Sequence, residues 1–191
     1  MDGTIKLDKK ERLFLSNQLE ILMNQFEIKN LIKGTDDPTV DLSSYKNQIR
    51  ALREGYELHY SDVFEDIYDE LSLEECRFVL DVLEMYRGIT FSFFALRRDN
   101  MLGSLTEEKI LFEGFDLNTE TKYFSYAKYF LFDLDRYEEI KQIAGPHYDF
   151  NSHTCATIPK YRKQLSIWEG YRSLENRYQM SEDQINKILQ A

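Results

Sequence analysis

The chain has 191 residues, of which 42% are hydrophobic and 30% charged, and its formal net charge is −10 at pH 7. This balance excludes a largely disordered protein. The net negative charge would repel phosphate backbones, so we do not expect the protein to bind nucleic acid. No stretch approaches the roughly 20 apolar residues of a membrane-spanning helix, and the first residues lack a signal-peptide pattern, so we expect a cytoplasmic protein that does not contact a membrane.

N-capping signals recur along the chain. Five residues of N-cap type precede segments with helical periodicity: Asp8, Asp41, Ser72, Thr106 and Ser181. A side-chain oxygen at such a position accepts a backbone N–H of the first helical turn. Ser72 and Ser181 also have Glu75 and Gln184 three residues later, which completes two capping boxes. These repeated starts predict an all-α fold, in which Glu120 would lie in the first turn of a later helix.

Two long segments are predicted to form the central helices. Residues 73–99 are apolar around most of a helical wheel, which is typical of a mostly buried helix. In residues 119–143, five side chains share one face at spacings of three and four: Tyr123, Ala127, Phe130, Leu134 and Tyr137. Phe132 points nearly opposite, and Tyr129 lies toward it. We therefore predict that Phe132 and Tyr129 contact another subunit of a homo-oligomer; the alternative is a neighbouring segment of the same chain.

The breaks between these segments are short. They fall near residues 33–38, 100–104 and 112–118, and none is long enough for a flexible linker, so a single compact domain over residues 1–191 is expected. Residues 110–115 (ILFEGF) are a candidate short strand.

Cys76 and Cys155 are too few and too far apart for a disulfide framework, which agrees with a reducing compartment.

The loop GPHYDFNSHTC, at residues 145–155, concentrates residue types that ligate metals: His147, Asp149, His153 and Cys155. Structural zinc sites usually take paired ligands from two separated segments, and no second cluster exists in the sequence. We predict a polar loop with no metal, and no cofactor elsewhere. For His147 alone, two roles stay open: a buried, hydrogen-bonded histidine, or a catalytic acid or base.

Arg53 and His59 have the R-x5-H spacing of some helical ribonucleases of toxin type. In that chemistry the histidine acts as acid or base on the 2′-hydroxyl and the arginine steadies the phosphate. The acidic composition disfavours an RNA substrate, and Gly55 weakens a helix between the two residues. No recognised catalytic motif occurs, so whether the chain is an enzyme stays open.

A collinear series of segments resembles the YfbU family. It consists of RLFLSNQLEIL (12–22), LREGY (52–56), EECRFVLDVLEMY (74–86), FEGFD (112–116) and EDQINKIL (182–189). The resemblance implies a compact, mainly helical, bacterial cytoplasmic protein and brings no assigned activity. His147, Phe150 and Asn151 match a family pattern of a histidine followed by Phe-Asn. That pattern includes neither His153 nor Cys155, and it has no histidine to place at His59.

Together these observations favour an oligomeric interaction or regulatory protein, with a protein partner as a further possibility. The alternative is a hydrolase or ribonuclease that uses His147, or Arg53 with His59.

Overall fold

The computed structural model describes residues 5–33, 42–152, 156–173 and 177–191. The all-α prediction is confirmed, since the described residues form helices and turns and contain no strand. The helices are α1 (Lys9–Lys33), α2 (Leu42–Glu54), α3 (Leu73–Arg98), α4 (Glu107–Ile110), α5 (Thr121–Lys128), α6 (Glu138–Ala144), α7 (Ile158–Trp168) and α8 (Glu182–Leu189). The chain divides into two compact units, Met1–Asp69 and Glu70–Ala191. A single domain over residues 1–191 stays a prediction.

The first unit is a helical hairpin followed by two 3₁₀ turns. α1 begins after Asp8, whose carboxylate accepts from the Lys10 and Glu11 N–H groups at 2.7 and 2.8 Å, so this N-cap is confirmed. α1 packs along α2, where the Nη1 of Arg12 donates to the Leu52 carbonyl at 3.1 Å. Among its described residues the unit buries few apolar side chains: Ile49, Ala51, Leu52 and Tyr60.

The second unit is built around α3, as predicted for residues 73–99. The Ser72 hydroxyl accepts from the Glu75 N–H at 3.2 Å, and the Glu75 carboxylate accepts from the Ser72 N–H at 2.8 Å. This capping box starts a helix that buries ten of its residues, with Val79, Val82 and Leu83 fully enclosed. α3 therefore forms the core against which the other helices of the unit pack.

The remaining predicted helix starts have mixed outcomes. The Thr106 hydroxyl accepts from Lys109 at the start of α4, and Ser181 with Gln184 forms the second capping box at α8. Both predictions are confirmed. Asp41 lies outside the described residues.

The prediction of one continuous helix over residues 119–143 is wrong. α5 ends at Lys128, a π-helical turn covers Tyr129–Asp133, and α6 starts at Glu138. The Leu134 N–H donates to the Tyr129 carbonyl at 2.9 Å, five residues back, which is the π-type bond. Asp135 and Tyr137 then take left-handed backbone conformations, with φ of 50° and 53°, and these end the helical path.

The predicted strand at residues 110–115 is also wrong, because pairing is limited to one bridge between Phe115 and Asn151. Gly114 explains the close approach of the two segments there. Its φ of 87° suits glycine, and a Cβ at this position would collide with the Phe150 carbonyl. The bridge fixes the loop after α6 against the chain before α5.

Glu120 connects α5 to α7. Its side chain is 4% exposed, and its carboxylate accepts from the Asp116 N–H at 3.1 Å, the Thr157 hydroxyl at 2.8 Å and the Ile158 N–H at 2.8 Å. Ile158 is the first residue of α7, so Glu120 caps that helix from a distant part of the sequence. Buried carboxylates persist when they are hydrogen-bonded in this way.

Candidate functional site

The π-helical turn exposes three large apolar side chains, and we call this region the Phe132 surface. Tyr129 is 46% exposed, Phe132 45% and Leu134 42%. Tyr129 and Phe132 line a shallow groove of about 400 Å³ together with Ser125, Lys128 and Asp133. Leu134 was expected on the buried face, but the extra residue of the π turn rotates the chain that follows it. The two side chains singled out in the sequence thus lie side by side and accessible.

The backbone around the Phe132 surface is unusual. Of the four non-glycine residues with positive φ in the described chain, three border this surface: Asp135, Tyr137 and Phe150. Residues in such conformations cost on the order of 1–3 kcal/mol each and concentrate at functional sites. π turns inside α-helices are likewise enriched there. These features make the turn a candidate functional site.

Charged groups form a rim around the Phe132 ring. The Lys128 and Lys141 ammonium nitrogens lie 6.0 and 5.8 Å from its centroid, within the range of cation–π attraction. Lys141 also donates to Asp135 at 2.7 Å, and this bond is the main cause that lowers the pKa of the Asp135 carboxyl. Burial opposes the ammonium charge of Lys141, but its bonds to Asp135 and Glu138 outweigh this and raise its pKa.

Tyr137 anchors the turn to α3. Its hydroxyl donates to the Glu84 carboxylate at 2.7 Å, and the Arg87 guanidinium carbon lies 4.4 Å from its ring centroid. Burial, followed by the bond to Glu84, raises the pKa of Tyr137 to about 12. Arg87 in turn donates to Glu139 at 2.6 Å. These contacts offset the strain of the left-handed Tyr137 backbone and fix the surface in one geometry.

His59 lies in a separate cleft, inside the first unit. The cleft has a volume of about 530 Å³ and is lined by Ser44, Asn47, Gln48, Arg50, Ala51, Tyr56, His59, Asp62 and Glu65. The His59 Nδ1 lies 3.3 Å from the Asp62 Oδ2, and the two side chains are 56% and 54% exposed. A carboxylate beside Nδ1 that accepted its proton would leave Nε2 available as a base, as in histidine general bases.

The structure does not bring Arg53 into this cleft. The Arg53 guanidinium donates to Glu20 at 2.7 Å, and the residue lines another cleft with Lys9, Arg12, Leu13, Ser16 and Leu52. The arginine that lines the His59 cleft is Arg50, three residues earlier. The two residues paired by the R-x5-H spacing therefore line different clefts.

His147 is exposed on the turn that follows α6. The Tyr148 N–H donates to the Gly145 carbonyl at 3.4 Å across this turn. A buried, hydrogen-bonded His147 was one of the expectations, and it is wrong because the turn projects this residue outward. His153 and Cys155 lie outside the described residues, so the absence of a metal from this loop stays a prediction.

Some residues around these sites gave no signal in the sequence. Asp62 and Arg50 line the cleft with His59, and neither was singled out in the sequence. An aspartate three residues after a histidine could have been noted. Leu134 was assigned to the wrong face. Phe150, which packs against Phe132 with ring centroids 5.6 Å apart, was noted only as part of the family resemblance.

Comparison with known proteins agrees with the resemblance seen in the segments. A family model described as the YfbU domain matches residues 5–191. The chain belongs to the YfbU family. The UPF0304 protein MJECS11 of Methanocaldococcus jannaschii is 32% identical over 185 residues, which cover 97% of this chain and 99% of that protein.

This relative comes from an archaeon, so the YfbU family is not confined to bacteria. Within the described residues, no helix of this family member has the length and apolarity needed to cross a membrane. The YfbU match covers both compact units, and it therefore includes both the Phe132 surface and the His59 cleft.

Proposed function

We propose that this chain is an interaction protein that acts as a homo-oligomer, with the Phe132 surface as a contact between subunits. The exposure of Phe132 carries the proposal. A phenylalanine that is 45% exposed, beside a tyrosine and a leucine exposed to the same extent, forms an apolar surface that binding would remove from water.

The composition of the surface supports this role over catalysis. Aromatic residues are enriched at the centres of subunit contacts, and a charged rim around an apolar centre is typical of such contacts. Phe132 has this arrangement, with Lys128 and Lys141 beside it and Asp133 in the same groove. A regulatory protein would use such a fixed surface to bind a partner or a second copy.

We also propose a cytoplasmic location, based on the sparse, widely spaced cysteines of the sequence.

Light scattering on the full chain tests this function. The unmodified protein should have a mass above 22.8 kDa, the mass of one chain. Phe132→Glu and Leu134→Glu should each lower that mass while circular dichroism stays helical, because a buried carboxylate would oppose association. Met101→Glu is the matched control, since Met101 is 64% exposed in the same unit but outside the Phe132 surface.

Two outcomes would overturn the assignment of the Phe132 surface as a subunit contact. If both variants fold and keep the mass of the unmodified protein, the Phe132 surface is not the contact. A lower mass that appears equally in Met101→Glu would show a general effect of added charge, and it too would overturn the assignment.

A second candidate function, a hydrolase of ribonuclease type, is favoured by the contact between His59 and Asp62. A proton on Nδ1, donated to Asp62, would leave Nε2 free to act as a general base. Arg50 in the same cleft would offset the charge of a phosphate. Cleavage of a labelled RNA oligonucleotide tests this function: His59→Gln should abolish turnover, whereas His147→Gln should not. Equal activity in both variants, or none in the unmodified protein, would remove this candidate.

A further inference from the structure

Helix α1 has two apolar faces. The face toward α2 includes Ser16, which is buried, and Phe26, whose ring centroid lies 6.0 Å from that of Tyr45. At 100° per residue, six other side chains fall on the opposite side, and we call them the α1 stripe: Phe14, Gln18, Ile21, Gln25, Ile28 and Ile32. All six are exposed. A helix that is apolar on both sides is expected to be covered on both.

The uncovered area is the size of a stable protein contact. Seven large apolar side chains of α1 are between 41% and 82% exposed: Leu13, Phe14, Ile21, Leu22, Ile28, Leu31 and Ile32. The stripe runs about 27 Å along the helix at 1.5 Å per residue. Burying all seven, which means covering Leu13, Leu22 and Leu31 beside the stripe as well as the stripe itself, would remove on the order of 800 Å² from water, which is what specific interfaces bury on each partner.

The order of residues in the stripe is nearly the same in both directions. Ile21 lies at the centre, Gln18 and Gln25 flank it, and Phe14 and Ile28 lie beyond them. A two-fold axis at Ile21 would place Phe14 of one copy near Ile28 of the other. The same axis would place Gln18 near Gln25, and their amides can donate to and accept from each other. Contacts between identical surfaces require this self-complementarity.

The charges beside the stripe fit the same pairing. Glu11 and Lys29 are exposed and lie on the same flank of α1, eighteen residues apart. An antiparallel arrangement centred at Ile21 brings Glu11 of one copy close to Lys29 of the other, and the pair occurs twice. A parallel arrangement would instead put the Glu11 and Lys29 flanks of the two copies on opposite sides of the contact, so these pairs would not form.

We infer that the α1 stripe is a dimerisation surface on which a second copy of this chain binds, with the two α1 helices antiparallel. The inference rests on the proposed homo-oligomer but assigns a surface distinct from Phe132. It also accounts for the small apolar core of the first unit. Two such hairpins together supply four helices, and packing of their apolar faces gives the core that one hairpin lacks.

Engineered cysteines test the pairing on the full chain, after Cys76 and Cys155 are replaced by serine. Ile21→Cys should give a disulfide-linked dimer under mild oxidation, because the axis puts the two residues 21 side by side. Glu27→Cys is the control, since Glu27 is exposed and lies about 140° around the helix from the stripe. A mixture of Phe14→Cys and Ile28→Cys chains should cross-link better than either chain alone.

Failure at Ile21, or equal cross-linking at Glu27, would overturn the α1 dimer. Cross-linking of Phe14→Cys chains to each other would overturn the antiparallel orientation. Ile21→Glu, followed by light scattering, separates this inference from the proposed function. An oligomer that persists in Ile21→Glu but is lost in Phe132→Glu removes the α1 dimer alone, whereas an unmodified chain that is monomeric removes both.

Discussion

The ring of Phe132 meets the ring of Phe150 at an interplanar angle of 64°, with centroids 5.6 Å apart. The two residues differ in burial, because Phe150 is 1% exposed whereas Phe132 is 45% exposed. Phe150 therefore belongs to the core, and Phe132 lies on that core with one side open. This relationship makes the Phe132 surface rigid and accessible at the same time.

Alanine substitutions at these two positions should differ in their effect on the free energy of unfolding. Phe150→Ala should destabilise the chain by about 3–5 kcal/mol, as expected for a buried aromatic residue. Phe132→Ala should cost only about 1 kcal/mol when the protein is dilute enough to be monomeric, because half of its ring is already in water. Urea denaturation measures both values. Equal losses would place Phe132 in the core and count against its role in a contact.

Gly114→Ala should destabilise the chain by roughly 2 kcal/mol or more, because the new methyl group meets the Phe150 carbonyl and the left-handed backbone is strained. Gly170→Ala is a matched control, since a Cβ at Gly170 meets no atom within 4 Å. It should change stability by less than about 0.5 kcal/mol. Thermal denaturation compares the two variants, and similar midpoints would contradict the close approach at Gly114.

Removal of the Glu120 carboxylate should leave three donors unpaired. Glu120→Ala is expected to cost about 2–3 kcal/mol, because the Asp116 and Ile158 amides and the Thr157 hydroxyl lose their acceptor. Glu120→Gln should cost less, since its carbonyl oxygen can still accept from the Asp116 N–H and the Thr157 hydroxyl, while the Ile158 N–H loses its acceptor. Chemical denaturation of both variants measures the two losses in the free energy of unfolding. Equal losses in the two variants would contradict this order, because the hydrogen bonds that glutamine can keep would then contribute no stability.

The capping box at α3 should contribute to the pH dependence of stability. The hydrogen bonds from Ser72 are the main cause that lowers the pKa of Glu75. A carboxyl with a lowered folded-state pKa contributes stability above its unfolded pKa of about 4.3, and this is lost as the pH falls through the folded value. Loss of the N-cap in Ser72→Ala should reduce stability at pH 7 by about 1 kcal/mol. The acid limb of the stability curve should also flatten, because Glu75 loses the side-chain bond that lowers its pKa.

A denaturation series from pH 7 to pH 3 measures this effect. Tyr68→Ala supplies an unrelated loop variant for comparison, since the Tyr68 side chain is 83% exposed. An acid limb in Ser72→Ala that is unchanged from that of the unmodified protein would contradict the assignment.

The sequence predicted features that depend on local chemistry. Ser72, Ser181, Thr106 and Asp8 cap helices as expected, because capping needs only neighbouring backbone donors. The buried α3 was also predicted, since its apolar pattern reports burial directly.

Features that depend on distant contacts were missed. The break after Phe132 has no glycine or proline to mark it, and it is stabilised by the bond of Tyr137 to Glu84 on another helix. Glu120 was expected to favour its own helix, but it caps α7 instead. Arg50 was likewise not predicted beside His59, because the turns after α2 bring the two residues into one cleft, whereas Asp62 lies only three residues after His59 and could have been noted. The exposed side of α1 could be recognised only from the structure, in which α2 covers the opposite side of the helix.

Sedimentation equilibrium of the unmodified chain, over a range of concentrations, tests most directly whether this protein works as a homo-oligomer. We predict a mass that is a multiple of 22.8 kDa, that falls toward one chain on dilution, and that is lower in Phe132→Glu than in the unmodified protein. A mass of one chain at every concentration up to tens of micromolar would contradict the account.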